Sequence, residues 1–114
     1  MHPSLVEPWG LVVNEAAACG LPLLVSDRAG CVETFVPEGR ATTGRRLDRR
    51  SVEGMADALS WMASLGESER AALGCRAAAI AEEWGPERFA TGAIEAFEIA
   101  GEVEQAGGRR VRTF

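Results

Sequence analysis

The stretch from Trp9 to Asp27, WGLVVNEAAACGLPLLVSD, constrains the fold more than any other part of the chain. It turns Ala-rich after Gly10 and stops at Gly20-Leu21-Pro22, where a glycine followed closely by a proline ends a helix. The run that follows, LPLLVSD, is short, continuously apolar and bounded by Pro22 and Asp27. Alternation would give a strand one wet face; an unbroken apolar run asks for cover on both, which suits a fully buried parallel strand. A buried helix leading directly into such a strand predicts an α/β arrangement.

The remaining pattern is mostly helical. RAGC leads into VETFV, long enough for one helical turn, and PEGRATTG reads as an irregular connection to a brief second strand at about Arg45 to Leu47. From Ser51, a good N-cap residue, Val52, Met55, Ala56, Leu59, Met62 and Leu65 recur at helical spacing until Gly66. The next helix begins near Ser68 and carries Leu73, Ala77, Ile80, Ala81 and Trp84 to Gly85-Pro86. Trp61 and Trp84 both fall at core spacings. Pro86 suits the first position of a last helix, whose inner face is expected to be Phe89, Ala93, Ala96, Phe97 and Ala100. Two strands do not make a stable parallel sheet by themselves, so the chain reads as part of a sheet domain.

Several function classes drop out. A chain of 114 residues buries roughly 65% of its unfolded surface, enough for one modest domain. The longest apolar runs, LVV and LPLLV, fall far short of the roughly 18 residues that span a bilayer. The opening MHPSLVEPW has neither a basic region nor an apolar core of the secretory kind, so a cytoplasmic location is expected. Cysteines at positions 19, 31 and 75 form neither a disulfide framework nor a zinc motif. A net charge of −5 argues against nucleic acid as a partner. Arg45, Arg46, Arg49 and Arg50, interrupted by Asp48, read as a solvated loop.

The segment EPWGLVVNE places Glu7 and Glu15 on either side of a Pro-Trp-Gly step. On one continuous helix they would lie about 12 Å apart along the axis and roughly 80° apart around it, too far to act as a pair. Pro8 points elsewhere, because it pushes the preceding residue out of helical geometry and itself favours a helix start. Glu7 is then expected in the loop, with Trp9, Gly10 and Leu11 as a first turn of unpartnered amides and Glu15 further in. Such a corner suits a polyol–phosphate–polyol ligand: the carboxylates take hydroxyls and the amides take the phosphate. A nucleotide-sugar has those parts in that order. Trp9 either packs under the sugar or acts as a buried wedge. His2, the only histidine, lies near the terminus and is given no role.

Two glutamates at this spacing occur by chance in many helices, so the surrounding residues decide. PSLVEPWGLVVNEAAACGLPLLVSDRAG resembles the donor-binding segment of group 1 (family 4) retaining glycosyltransferases with the GT-B fold. Their pattern sets Glu, seven residues and Glu within E-P-F/W-G-L-V-x-x-E-A-x-A-C-G-x-P-V-V-x-S-D-x-G-G. The resemblance is close over residues 3–33. It extends more loosely, through GRRLDRRSVEGMADAL and WGPERFA, to about residue 100.

The resemblance implies an α/β, partial Rossmann-like domain: the C-terminal portion of a GT-B donor-binding domain over residues 1–101, with two short parallel strands plus four or more helices. Residues 102–114 are expected to fray. Glu7 would hold hydroxyls of the transferred sugar and so counts as the catalytic as well as a donor-binding residue. Glu15 would hold the ribose, and the amides of Trp9, Gly10 and Leu11 would face the sugar and diphosphate. The donor is a nucleoside diphosphate sugar, with no cofactor and no metal expected. Ala29-Gly30 stands where the family usually has Gly-Gly. Glu33 matches a family glutamate expected to brace its loop, and Cys19, Cys31 and Cys75 are expected to be structural thiols.

The family's acceptor domain and early donor-domain strands have no counterpart here. The arginine and lysine that neutralise the departing diphosphate in relatives are missing with them, and the sequence contains no lysine at all. A helix N-terminus offers an anion about 0.3–2 kcal/mol, whereas enzymes lower barriers by about 8–23 kcal/mol. The expected function is therefore part of a donor site, inactive alone, whose partner is the remainder of the glycosyltransferase fold. The alternative is a helical self-association module, a homodimer in which the glutamates are vestigial.

Overall fold

A computed structural model describes residues 1–38 and 43–107, with side chains through residue 102. The elements run α1 (Leu11–Ala18), β1 (Leu23–Ser26), α2 (Val32–Phe35), β2 (Gly44–Leu47), α3 (Val52–Ser64), α4 (Glu67–Glu83) and α5 (Pro86–Gly107). They divide into two units, Met1–Glu83 and the segment from Trp84 onward.

In the first unit β1 and β2 pair in parallel, from Leu23 opposite Gly44 to Ser26 opposite Leu47. All four residues of β1 are buried, as its unbroken apolar run requires. Alternate side chains go to opposite faces. Leu23 and Val25 join Val13 and Ala17 of α1, Phe35 of α2 and Ala77 of α4 in the main core. Leu24 turns the other way, to Leu47, Ala58, Trp61 and Met62, which bring α3 over the second face. The result is the three-layer α/β arrangement of a partial Rossmann-like domain.

The helix-to-strand junction follows its sequence signal. Gly20, at φ 69°, donates its N–H to the Ala17 carbonyl (2.8 Å), and Leu21 donates to Ala16 (3.1 Å). These two bonds close α1 in a Schellman motif. Ser51 caps α3 by accepting the Gly54 amide at 2.9 Å. On the other side of β1, His2 donates its N–H to Leu24 (2.8 Å) and accepts from Ser26 (2.9 Å), a parallel bridge that adds residue 2 to the sheet.

Some expectations shift. Helix α1 begins at Leu11 with Gly10 as a left-handed N-cap at φ 102°, so Trp9 and Gly10 lie before the first turn. Pro8 does not start the helix; the glycine's backbone reversal sets the boundary. On α3 the buried side is Ala58 with Trp61 and Met62, while Val52 and Leu59 are exposed. Met62 belongs to both stripes, so spacing alone does not choose between them. Arg45 and Arg46 lie on β2 rather than in a solvated loop: Arg45 stacks over the Trp61 ring at 4.2 Å and Arg46 is paired. Arg49 meets Asp27 at 3.1 Å. Cys31 is buried as expected, but Cys19 and Cys75 are exposed.

The second unit, taken by itself, is one helix, and one helix cannot bury a face on its own. Phe89 and Phe97, expected on an inner face, stand 78% and 79% exposed. Trp84 is 40% exposed and carries the Arg88 guanidinium 4.4 Å over its ring, rather than lying in a core. The tail expected to fray from residue 102 is helical as far as Gly107; residues 108–114 lie outside the described residues, as does most of the GRATTG connection.

Candidate functional site

The candidate site forms where the segment ahead of α1 meets the loop after β1. Gly30 donates its amide to the Glu7 carbonyl at 2.9 Å, and Cys31 donates to the Trp9 carbonyl at 3.0 Å. These bonds make Glu7 and Ala29 a parallel bridge that prolongs the sheet edge. The fit is close. A Cβ on Gly30 would lie 1.9 Å from the Pro8 carbonyl oxygen, so no larger residue enters without moving backbone. Ala29 is buried beside it, which explains why alanine serves at the first position of the usual glycine pair and would not serve at the second.

Gly10 then reverses the chain into α1. Its missing side chain leaves room for three others: a Cβ there would sit 3.2 Å from Glu7 Cγ, 3.4 Å from Cys31 Sγ and 3.6 Å from His2 Nε2. The Glu7 carboxylate, about a third exposed, folds back so that Oε1 receives the Trp9 amide at 3.4 Å. Its Oε2 lies 3.9 Å from His2 Nε2. Val13 donates to the Gly10 carbonyl at 2.8 Å, whereas the amides of Gly10, Leu11 and Val12 make no backbone hydrogen bond among the described residues. A short row of unpartnered donors thus lies at the start of α1 beside a carboxylate, with Gly10 buried and Leu11 and Val12 exposed.

Glu15 stands exposed on α1, and no interaction with Glu7 is seen. The structure therefore brings Glu7, Trp9 and Gly10 together and leaves Glu15 further along the helix. Trp9 takes the wedge position: half-buried against the main core, it donates its indole N–H to Asn14 Oδ1 at 2.9 Å.

Nearby charges stiffen the loop. Glu33 receives both terminal nitrogens of Arg46 at 2.8 and 2.7 Å, and Arg46 Nε donates to the Val36 carbonyl at 2.6 Å. This is the bracing role expected of Glu33. The bidentate bond holds the Glu33 carboxyl below the usual carboxylate range and raises Arg46. Burial pushes the Cys31 thiol up, against a backbone hydrogen bond that lowers it, with the Glu7 charge adding a further rise. That thiol is a packing group, not a nucleophile. Among the described residues no three His, Cys, Asp or Glu side chains converge as metal ligands.

The family model for glycosyl transferases group 1 matches residues 1–80, which contain the whole of this corner. The chain belongs to the group 1 glycosyltransferases. Two curated relatives agree, the D-inositol 3-phosphate glycosyltransferases of Rhodococcus opacus (strain B4) and Rhodococcus jostii (strain RHA1). Each is 35% identical over 98 residues, covering 86% of this chain and 21% of the relative. The chain thus spans about a fifth of the length of these proteins. Among solved structures, sucrose-phosphate synthase from Thermosynechococcus elongatus superposes with a TM-score of 0.69 at 26% identity, over 87% of this chain and 25% of that one. These matches support the GT-B assignment of this group 1 glycosyltransferase chain.

Two residues of the corner escaped the sequence: Asn14 fixes the Trp9 ring and His2 faces Glu7, while Cys31, expected as a structural thiol, lies beside Gly10. Only Asn14 carried a local signal, since it stands five residues beyond the tryptophan whose indole needs an acceptor.

Proposed function

We propose that residues 7–15 of this group 1 glycosyltransferase form the part of a donor site that grips a nucleoside diphosphate sugar. Glu7 takes hydroxyls of the sugar to be transferred, the amides of Gly10 and Leu11 face the diphosphate, and Glu15 takes the ribose. The observation that carries this reading is the placement of the Glu7 carboxylate beside unpartnered amides at the start of α1, where Leu11 and Val12 are exposed, with Glu15 exposed beyond. Carboxylates accept pairs of hydroxyls, and free helix-terminal amides accept anionic oxygen. No metal or cofactor has a part in this reading.

The corner binds and orients; it does not turn over by itself. Its amides supply about 0.3–2 kcal/mol toward an anion, far below the roughly 8 kcal/mol at which enzymatic acceleration begins. Stabilising the leaving diphosphate, seating the acceptor and excluding water fall to the remainder of the glycosyltransferase fold. Amide chemical-shift mapping tests the reading: uridine diphosphate and guanosine diphosphate sugars at millimolar concentration should move the signals of residues 7–15. Unmoved signals with both nucleotides would refute it.

A second reading is self-association. Leu5, Val6, Leu11, Val12 and Leu21 of the first unit are all at least half exposed, apolar surface that favours pairing of copies. Sedimentation at rising concentration decides it: a clean monomer at high concentration removes it.

A further inference from the structure

We infer that His2 is a positioning residue for Glu7: its Nε2–H holds Oε2 of the carboxylate and so leaves Oε1 aimed at the ligand. The inference rests on the donor-site reading for its consequence, but not for the contact itself. His2 is fixed independently of its side chain, because both its backbone groups are bonded to β1, the N–H to Leu24 at 2.8 Å and the carbonyl to Ser26 at 2.9 Å. The sheet therefore fixes the His2 backbone and the direction in which its side chain leaves it.

That direction is toward Glu7. The Nε2 atom is buried, has no hydrogen-bond partner among the described residues, and stands 3.9 Å from Glu7 Oε2. A buried nitrogen left unpaired is costly, so the side chains gain by closing the remaining distance. A hydrogen bond from imidazole to carboxylate at the usual 2.7–2.9 Å is charge-assisted and stronger than a neutral one. The groups around the pair limit other choices. Gly10 contributes only backbone, the neighbouring Cys31 thiol is kept protonated by burial, and Leu24, Val25 and Ser26 on β1 carry no charge. Among the described residues the carboxylate's other oxygen is held by the long 3.4 Å contact to the Trp9 amide, which a sugar hydroxyl can displace.

In this proposal His2 acts on Glu7 rather than on the ligand, so it is a positioning and not a catalytic residue. Its effect is on where Glu7 points, which binding energy alone does not reveal, so the test separates donor from shape. In the whole chain, His2→Leu keeps an apolar side chain of similar bulk but no donor, while His2→Gln restores an N–H. The carbon resonance of the Glu7 carboxyl and the Trp9 amide should both shift in His2→Leu and return toward the original in His2→Gln. Leu24 and Ser26 amides should stay in place throughout, confirming that the sheet is intact.

With a uridine diphosphate or guanosine diphosphate sugar as probe, whichever moves residues 7–15, affinity should fall about tenfold in His2→Leu and recover substantially in His2→Gln. If neither sugar binds the unaltered chain, the donor-site reading fails while the Glu7 resonances still decide the positioning claim. Glu7 carboxyl and Trp9 signals that ignore His2→Leu, or a glutamine variant no closer to the original than the leucine one, would overturn it.

Discussion

Gly30 and Pro8 touch through bare backbone: a methyl group on Gly30 would fall 1.9 Å from the Pro8 carbonyl oxygen. That approach lets the Gly30 and Cys31 amides reach the Glu7 and Trp9 carbonyls and joins the loop after β1 to the entrance of α1. Gly30→Ala should therefore destabilise the chain by about 1–3 kcal/mol and abolish nucleotide-sugar binding even under conditions where it folds. Thermal melts paired with shift mapping read both effects.

Gly10 fails differently. Its φ of 102° is one that side chains rarely adopt, and a Cβ there presses on Glu7 Cγ at 3.2 Å. Gly10→Ala is expected to cost about 1–2 kcal/mol in backbone strain, lowering the melting temperature by several degrees. It should also displace the Glu7 side-chain signals, which a purely conformational penalty at a remote turn would not.

Much of the frame was legible in local pattern because local chemistry made it. The Gly20 cap, the buried LLVS strand, the Ser51 cap and the helical turn VETF each carry their own signal within a few residues. The entrance to α1 was misplaced because Pro8 and Gly10 both mark helix starts, and only the left-handed glycine settles which governs. The buried side of α3 differs from the expected one because Met62 serves two overlapping stripes. His2 could not be read at all: what brings it to Glu7 is pairing with Leu24 and Ser26, more than twenty residues away. The two glutamates stand out in the segment EPWGLVVNE, and their separate roles are what the resemblance implies.

Acid should release the loop brace only after ordinary surface carboxylates have begun to protonate. Glu33 is held below its ordinary value of 4.5, chiefly by its bonds to Arg46. A depressed folded value means that the stabilisation is complete above the unfolded carboxyl range and is lost as pH falls through the folded one. Melting temperature followed from neutral pH down to strong acid should show a drop in that window, and Glu33→Gln should flatten it while lowering the neutral-pH value.

Thiol labelling separates the cysteines. Cys19 and Cys75 are exposed, whereas Cys31 is buried and its thiol is raised mainly by desolvation. A disulfide reagent at neutral pH should modify two thiols in the folded chain and all three in denaturant. Because the folded Cys31 value is raised, its contribution to stability is present below the unfolded thiol range and is lost as pH climbs through the folded one.

The central claim is that Glu7 and Glu15 grip opposite ends of one diphosphate-linked ligand, and dissecting that ligand against the two acids tests it most directly. Binding of a nucleoside diphosphate and of its sugar conjugate is measured by NMR titration on the unaltered chain, Glu7→Gln and Glu15→Ala. Glu15→Ala should weaken both ligands about tenfold, while Glu7→Gln should remove only the extra affinity that the sugar confers. Equal losses for both ligands in both variants, or none in either, would contradict the assignment of the two acids to the two ends.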